Sequence, residues 1–138
     1  MYSKVLKVVW IISMLAASAT LFYAYAGLQE NVVMGWGGLV LDRSGLFYAV
    51  LLLMAVFNTS AILVSRLGFH QSVVGWYYGL LATLHLFLIT VFIVVAILNS
   101  QEKYDFVNLG PMVIGTFLLF IGWLASFFFI RKSDPVSV

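Results

Sequence analysis

Four stretches of this 138-residue chain carry no charged side chain: 22 residues between Lys7 and Glu30, 22 between Arg43 and Arg66, 35 between Arg66 and Glu102, and 25 between Asp105 and Arg131. A hydrocarbon core about 30 Å thick needs about 20 apolar residues in helix. Each run meets that length, with mostly Leu, Val, Ile, Phe and Ala. The sequence therefore predicts an all-α integral membrane protein, one domain over residues 1–138, whose four transmembrane helices span residues 5–27, 44–65, 72–98 and 109–130 in an up-down bundle.

Composition removes the soluble alternatives. Hydrophobic residues make up 64% of the chain and charged residues 9%, against about 25% charged in an ordinary soluble domain, so most of the exterior cannot face water. The longest polar connection, residues 28–44, is too short to bury a core of its own. With no Cys, disulfides, thiolate nucleophiles and Cys-held metals are all excluded. The net charge of +2 comes from residues at helix ends, so it gives no support to nucleic-acid binding. Lys4 and Lys7 ahead of an apolar run, with Ala24-Tyr25-Ala26 before Gly27, also fit a secretory signal and its cleavage site; we read the segment as a retained helix.

The bases set an expected orientation. With the N-terminus in the cytoplasm, Lys4, Lys7, Arg66, Arg131 and Lys132 fall inside and only Arg43 and Lys103 outside. Bases favour the cytoplasmic side, so both termini are expected there. The outer loops then hold Glu30, Asp42, Glu102 and Asp105. Ser44 and Ser72 are expected N-caps, and Asn108 precedes a first turn containing Pro111. Trp10, Trp36, Trp76, Tyr77, Tyr78, Tyr104 and Trp123 fall near the expected interfaces, which suit amphipathic rings.

At 100° per residue, three helices show stripes of small residues. The first aligns Ser13, Ala16, Ala17, Thr20, Ala24 and Gly27; the third Ser72, Gly75, Gly79, Thr83 and Thr90; the fourth Gly115, Gly122 and Ser126. Small residues let backbones approach where no hydrophobic force joins helices, so Ser13, Ala17, Thr20, Gly75, Gly79, Thr83, Gly115, Gly122 and Ser126 are the expected helix-packing positions.

Besides hydroxyl residues, an amide and an imidazole fall deep within spans, Asn58 and His85. Ionisable groups there are rare and call for a function or a polar partner. His85 lies on the side of the third helix away from the Gly75/Gly79 stripe. If that stripe packs inside the bundle, a face of Tyr78, Leu81, His85, Ile89 and Phe92 turns outward, towards another protein. The alternative gives the third helix two neighbours and lets His85 bond Asn58, Thr59 or Thr116.

No cofactor or metal is expected. His70 lies 15 residues from His85, about 22 Å along a continuous helix, so the two cannot clamp one haem; a haem or quinone contact shared with a partner stays open. Every acid is in a loop or tail, which argues against an autonomous ion pump. Asn58-Thr59-Ser60 matches a glycosylation acceptor but lies inside a span, and no P-loop, GxSxG or H-E-x-x-H pattern is present. The chain reads as a non-enzyme.

The loop after the first span, Leu28-Gln29-Glu30-Asn31-Val32-Val33-Met34-Gly35-Trp36, resembles the first outer loop of small prokaryotic SdpI-like membrane proteins, which have four to six spans. Leu28, Val32 and Trp36 match the pattern Leu-Pro-x-x-Ile/Val-x-x-His-Trp-Asn, whereas Gln29, Gly35 and Gly37 depart from it. The resemblance extends no further than the first two spans and implies a bacterial inner-membrane setting, with immunity or signalling roles. The sequence leaves two function classes. One is a non-catalytic accessory subunit of a larger bacterial inner-membrane complex, such as a respiratory or ion-driven energy-transducing one, in contact with lipids and other integral subunits. The other is a stand-alone receptor, immunity protein or small-solute carrier.

Overall fold

The computed structural model describes residues 2–34, 39–100 and 109–133. Trp36, Glu102, Lys103, Tyr104, Asp105 and Asn108, with Gly35 and Gly37 of the matched loop, lie outside the described residues. The elements are α1 (Tyr2–Gly27), β1 (Asn31–Val33), β2 (Val40–Asp42), α2 (Arg43–Arg66), α3 (Gln71–Leu98) and α4 (Leu109–Ser133). All four helices are long and apolar enough to cross a membrane.

Two helix starts differ from the sequence expectation. Asp42, two residues before Ser44, caps α2 by accepting from the Gly45 amide at 2.7 Å. At α3 the cap is His70, whose ring accepts from the Ser72 amide at 3.4 Å. A carboxylate accepts a backbone N–H more strongly than a hydroxyl does, so Asp42 takes the role. Between α2 and α3 the chain reverses at Gly68, whose φ of 74° suits a residue without a Cβ.

The first connection is more ordered than a purely helical reading allows. β1 and β2 form an antiparallel hairpin pairing Asn31 with Asp42, Val32 with Leu41 and Val33 with Val40. Val32 is fully buried, plugged among Ala17, Leu21, Ala24, Leu28, Met54, Phe92 and Val95. Asn99, just beyond α3, clamps the hairpin from the other side. Its carbonyl accepts from the Val33 amide at 2.8 Å and its amide donates to the Val33 carbonyl at 2.9 Å, as a neighbouring strand would.

Successive helices run antiparallel, as expected, but they do not close into a ring. α3 is central, with α1 and α2 against one face and α4 against the opposite one. α1 and α3 run parallel: Ser3 bonds Gln71 near their starts, and Ser13 meets His85 at mid-length. α4 meets α3 head to tail, with Trp123 beside Trp76 and Phe117 against Phe87. The result is an open row of helices.

Candidate functional site

Polar side chains from three helices converge at mid-height of the row. On α1, Trp10 and Ser13 are three residues apart and share a face; Asn58 comes from α2 and His85 from α3. Trp10 Nε1 donates to Asn58 Oδ1 at 2.7 Å. Asn58 Nδ2 donates to the Met54 carbonyl at 2.7 Å and meets His85 Nε2 at 3.2 Å. His85 Nδ1 lies 3.0 Å from Ser13 Oγ, which donates to the Trp10 carbonyl at 2.8 Å.

Counting donors assigns every proton. The Asn58 amide has two hydrogens, one for Met54 and one for the imidazole, so Nε2 accepts. Nδ1 therefore carries the proton and donates to Ser13, whose own hydrogen is committed to Trp10. The circuit starts and ends on Trp10 with every member satisfied. His85 is 1% exposed, and an imidazole at that depth without partners would cost about 2 kcal/mol or more. Interhelical hydrogen bonds in membranes are worth about 0.6 kcal/mol each, so three of them contribute on the order of 2 kcal/mol, offsetting burial of the ring.

This geometry corrects the expectation that His85 faces a partner protein. Tyr78 stacks on Trp10, with ring centroids 5.1 Å apart and planes 19° from parallel. Leu81 and Phe92 are buried, and Ile89 packs half-buried beside Phe92 in the cluster around Val32. The face is turned inward because α3 has neighbours on two sides. Of the three partners weighed for His85, Asn58 is the one it meets. Thr59 is exposed, and Thr116 bonds back to the Met112 and Val113 carbonyls of its own helix. With both ring nitrogens engaged, His85 presents no lone pair to a haem or quinone held outside.

The small residues divide in the same way. Ala17 is fully buried, Gly75 is buried, and Thr83 is buried with its hydroxyl donated to the Leu80 carbonyl. Thr20 bonds the Ala16 carbonyl. A Cβ built on Gly79 would overlap the Trp123 indole. Trp76 Nε1 reaches the Trp123 carbonyl at 3.1 Å and Ser126 Oγ at 3.0 Å, and Trp123 Nε1 returns to the Trp76 carbonyl at 3.0 Å. Gly115 and Gly122 do not join this seam, because a Cβ on either would meet nothing within 4 Å among the described residues; the expectation that both pack against α3 is corrected.

Sequence reasoning assigned Trp10, Trp76 and Trp123 to interfaces and so missed their indole hydrogen bonds; the only signal was spacing, with Ser13 one turn from Trp10 and Ser126 three residues from Trp123. It also passed over Asn99 and Arg43. Beside the circuit, Met14, Ser18, Leu51, Met54, Ala55 and Asn58 line a groove between α1 and α2. Among the described residues no group of three or more His, Cys, Asp or Glu is placed to hold a metal. Compared with known proteins, the chain matches no family model, no curated protein and no solved structure.

Proposed function

We propose that this chain is a non-catalytic integral subunit of a larger bacterial inner-membrane complex, such as an energy-transducing one, and that it offers α4 to its partner. One observation carries this reading: α4 packs on α3 along one face and leaves Gly115, Gly122, Ile114 and Leu118 exposed. Helices in lipid associate through close packing, which small residues permit, and this face is uncovered by any of the described residues. The Trp10–Asn58–His85–Ser13 circuit supports the non-catalytic part. It closes on itself, so it offers neither a relay towards either end of the helices nor an open ring nitrogen. The excess of bases on one side supports cytoplasmic termini, and the SdpI-like first loop supports the bacterial setting.

Native mass spectrometry of a mild detergent extract tests the proposal. The chain is expected with larger integral partners, and Gly115→Leu with Gly122→Leu is expected to lose them while the isolated chain stays folded. A chain recovered alone, or variants that keep the partner, overturns it. For orientation, cysteine at Ser65 should label from the cytoplasm and cysteine at Asn31 from outside.

A second reading, a receptor, immunity protein or small-solute carrier, is favoured by the groove reaching Asn58 between α1 and α2. It requires that filling the groove by Ala55→Phe abolish binding of a small apolar solute without altering assembly.

A further inference from the structure

α1 and α2 are joined at two levels and stand apart between them. Towards one end Trp10 Nε1 bonds Asn58 Oδ1 at 2.7 Å. Towards the other, Phe47 packs against Phe22 and Tyr25, with ring centroids 5.6 and 4.5 Å away, and Arg43 Nη1 donates to the Leu28 carbonyl at 2.8 Å. Between these contacts the facing residues are Met14 and Ser18 on α1, one turn apart, and Leu51, Met54, Ala55 and Asn58 on α2, at the spacing of a single helix face. The side chains of Ser18 and Ala55 are too short to fill the gap that the aromatic contacts hold open. An open groove of about 210 Å³ results.

The polar side chains of this groove have already committed their protons. Ser18 Oγ donates to the Met14 carbonyl at 2.9 Å. Both amide hydrogens of Asn58 are used, on the Met54 carbonyl at 2.7 Å and on His85 Nε2 at 3.2 Å. An amide oxygen has two lone pairs, and Asn58 Oδ1 has one donor among the described residues, the Trp10 indole. What the walls have left is therefore acceptor capacity. It is strongest at Asn58, since an amide that donates through both hydrogens is polarised towards its oxygen. The rest of the lining is mostly apolar, and Met14 and Met54 bring two thioethers, which pack well against aromatic ring edges.

An acyl chain would cover these walls and bring no donor. A water molecule would bring a donor and leave the walls uncovered. An aromatic molecule with a hydroxyl group answers both, and the space exceeds the roughly 150 Å³ that accepts benzene in an engineered cavity. We propose that the α1–α2 groove binds a phenol, the class to which hydroquinone heads belong, with its hydroxyl donating to Asn58 Oδ1 and its ring between the Met14 and Met54 side chains. Such binding rests on the groove of the receptor or carrier reading and adds what the solute must carry. It is independent of the exposed face of α4.

The test uses the full chain in phosphatidylcholine nanodiscs and follows three probes by fluorine NMR: 4-fluorophenol, which donates; 4-fluoroanisole, which only accepts; and fluorobenzene, which lacks the oxygen altogether. Affinities are taken against each probe's concentration inside the disc, with protein-free discs as the baseline. 4-Fluorophenol is expected to bind saturably, one molecule per chain, about tenfold more tightly than either of the others, the worth of one hydrogen bond. In protein carrying carbon-13 at the asparagine side-chain carbonyls, the Asn58 signal should move as the phenol saturates while that of Asn99 stays. Ala55 is exposed, so Ala55→Phe should fill the groove and abolish the binding with the melting temperature held. Equal affinity for the three probes would leave the small-solute reading standing and overturn this proposal, because no donor would then be required. An unmoved Asn58 signal, or saturable binding that survives Ala55→Phe, would put the phenol elsewhere and overturn it too. No saturable binding by any probe would overturn both.

Discussion

The two faces of α3 are joined to their neighbours by different physics. Towards α1 and α2, side chains reach across: Asn58, His85, Trp10 and Ser13 exchange hydrogen bonds inside an apolar cluster of Leu81, Tyr78 and Ala61. Towards α4, the fit depends on the absence of a side chain, with Gly79 making room for the Trp123 ring, and the indole hydrogen bonds run mainly to backbone carbonyls. A seam built on a missing Cβ is intolerant of any addition. One built on several hydrogen bonds loses in proportion to the member removed.

The largest effect should therefore come from Gly79. Gly79→Leu forces the indole out, and overpacking of this kind costs about 3 kcal/mol or more. Thermal unfolding in detergent should show a clear drop. An unchanged melting temperature would mean that the α3–α4 seam does not depend on close approach.

Next is Asn58→Leu, which removes the acceptor of Trp10 Nε1 and the donor to His85 Nε2 together. Two buried groups are then orphaned, at about 1–3 kcal/mol. His85→Leu should cost less, about 1 kcal/mol, because Ser13 keeps the Trp10 carbonyl and Asn58 keeps the Met54 carbonyl. Chemical denaturation of the two variants checks the order; a larger loss for His85→Leu would put the burden on the imidazole rather than on the amide.

Asn99→Ala comes third. It removes the strand-like pair to Val33 at the exposed end of the hairpin, a loss of about 1 kcal/mol, and hydrogen exchange at the Val33 amide should speed up. The smallest effect is expected from Gly122→Leu, since none of the described residues lies within 4 Å of the added Cβ. The isolated chain should melt within about 0.5 kcal/mol of the parent; a large drop would show that α4 has a second contact within the chain.

The helices were legible because each carries a long charge-free run: α2, α3 and α4 start and end within about four residues of theirs, and α1 extends six residues ahead of its own to take in Lys4 and Lys7. The β-hairpin was not, because three-residue strands carry almost no pattern. The direction of His85 stays open in the sequence for a definable reason. The small-residue stripe marks one packing face of α3 and does not tell whether a second exists; the structure has two, and the larger is packed by Leu81, Tyr78 and Phe92. Gly115 and Gly122 show the converse: a stripe of glycines records that close approach is possible, not that a neighbour within the same chain makes it. Asn58 and His85 were found as polar residues out of place. Their closure through Trp10 and Ser13 depends on how α1 and α3 register along each other, which no local spacing encodes.

The parallel pairing of α1 with α3 has a consequence for how the molecule is made. When α2 has been synthesised, Asn58 can reach Trp10 but not His85, which lies 27 residues further along; at about 5–20 residues per second, that gap lasts seconds. During this interval one amide hydrogen of Asn58 has no imidazole to meet, and a lone polar group is costly in apolar surroundings. Arrival of α3 satisfies it, brings Tyr78 onto Trp10 and places Asn99 beside Val33, so one helix fastens the first half of the chain at its middle and at its hairpin end. α4 follows onto a surface already finished, and it is the helix whose departure would leave every other contact in place.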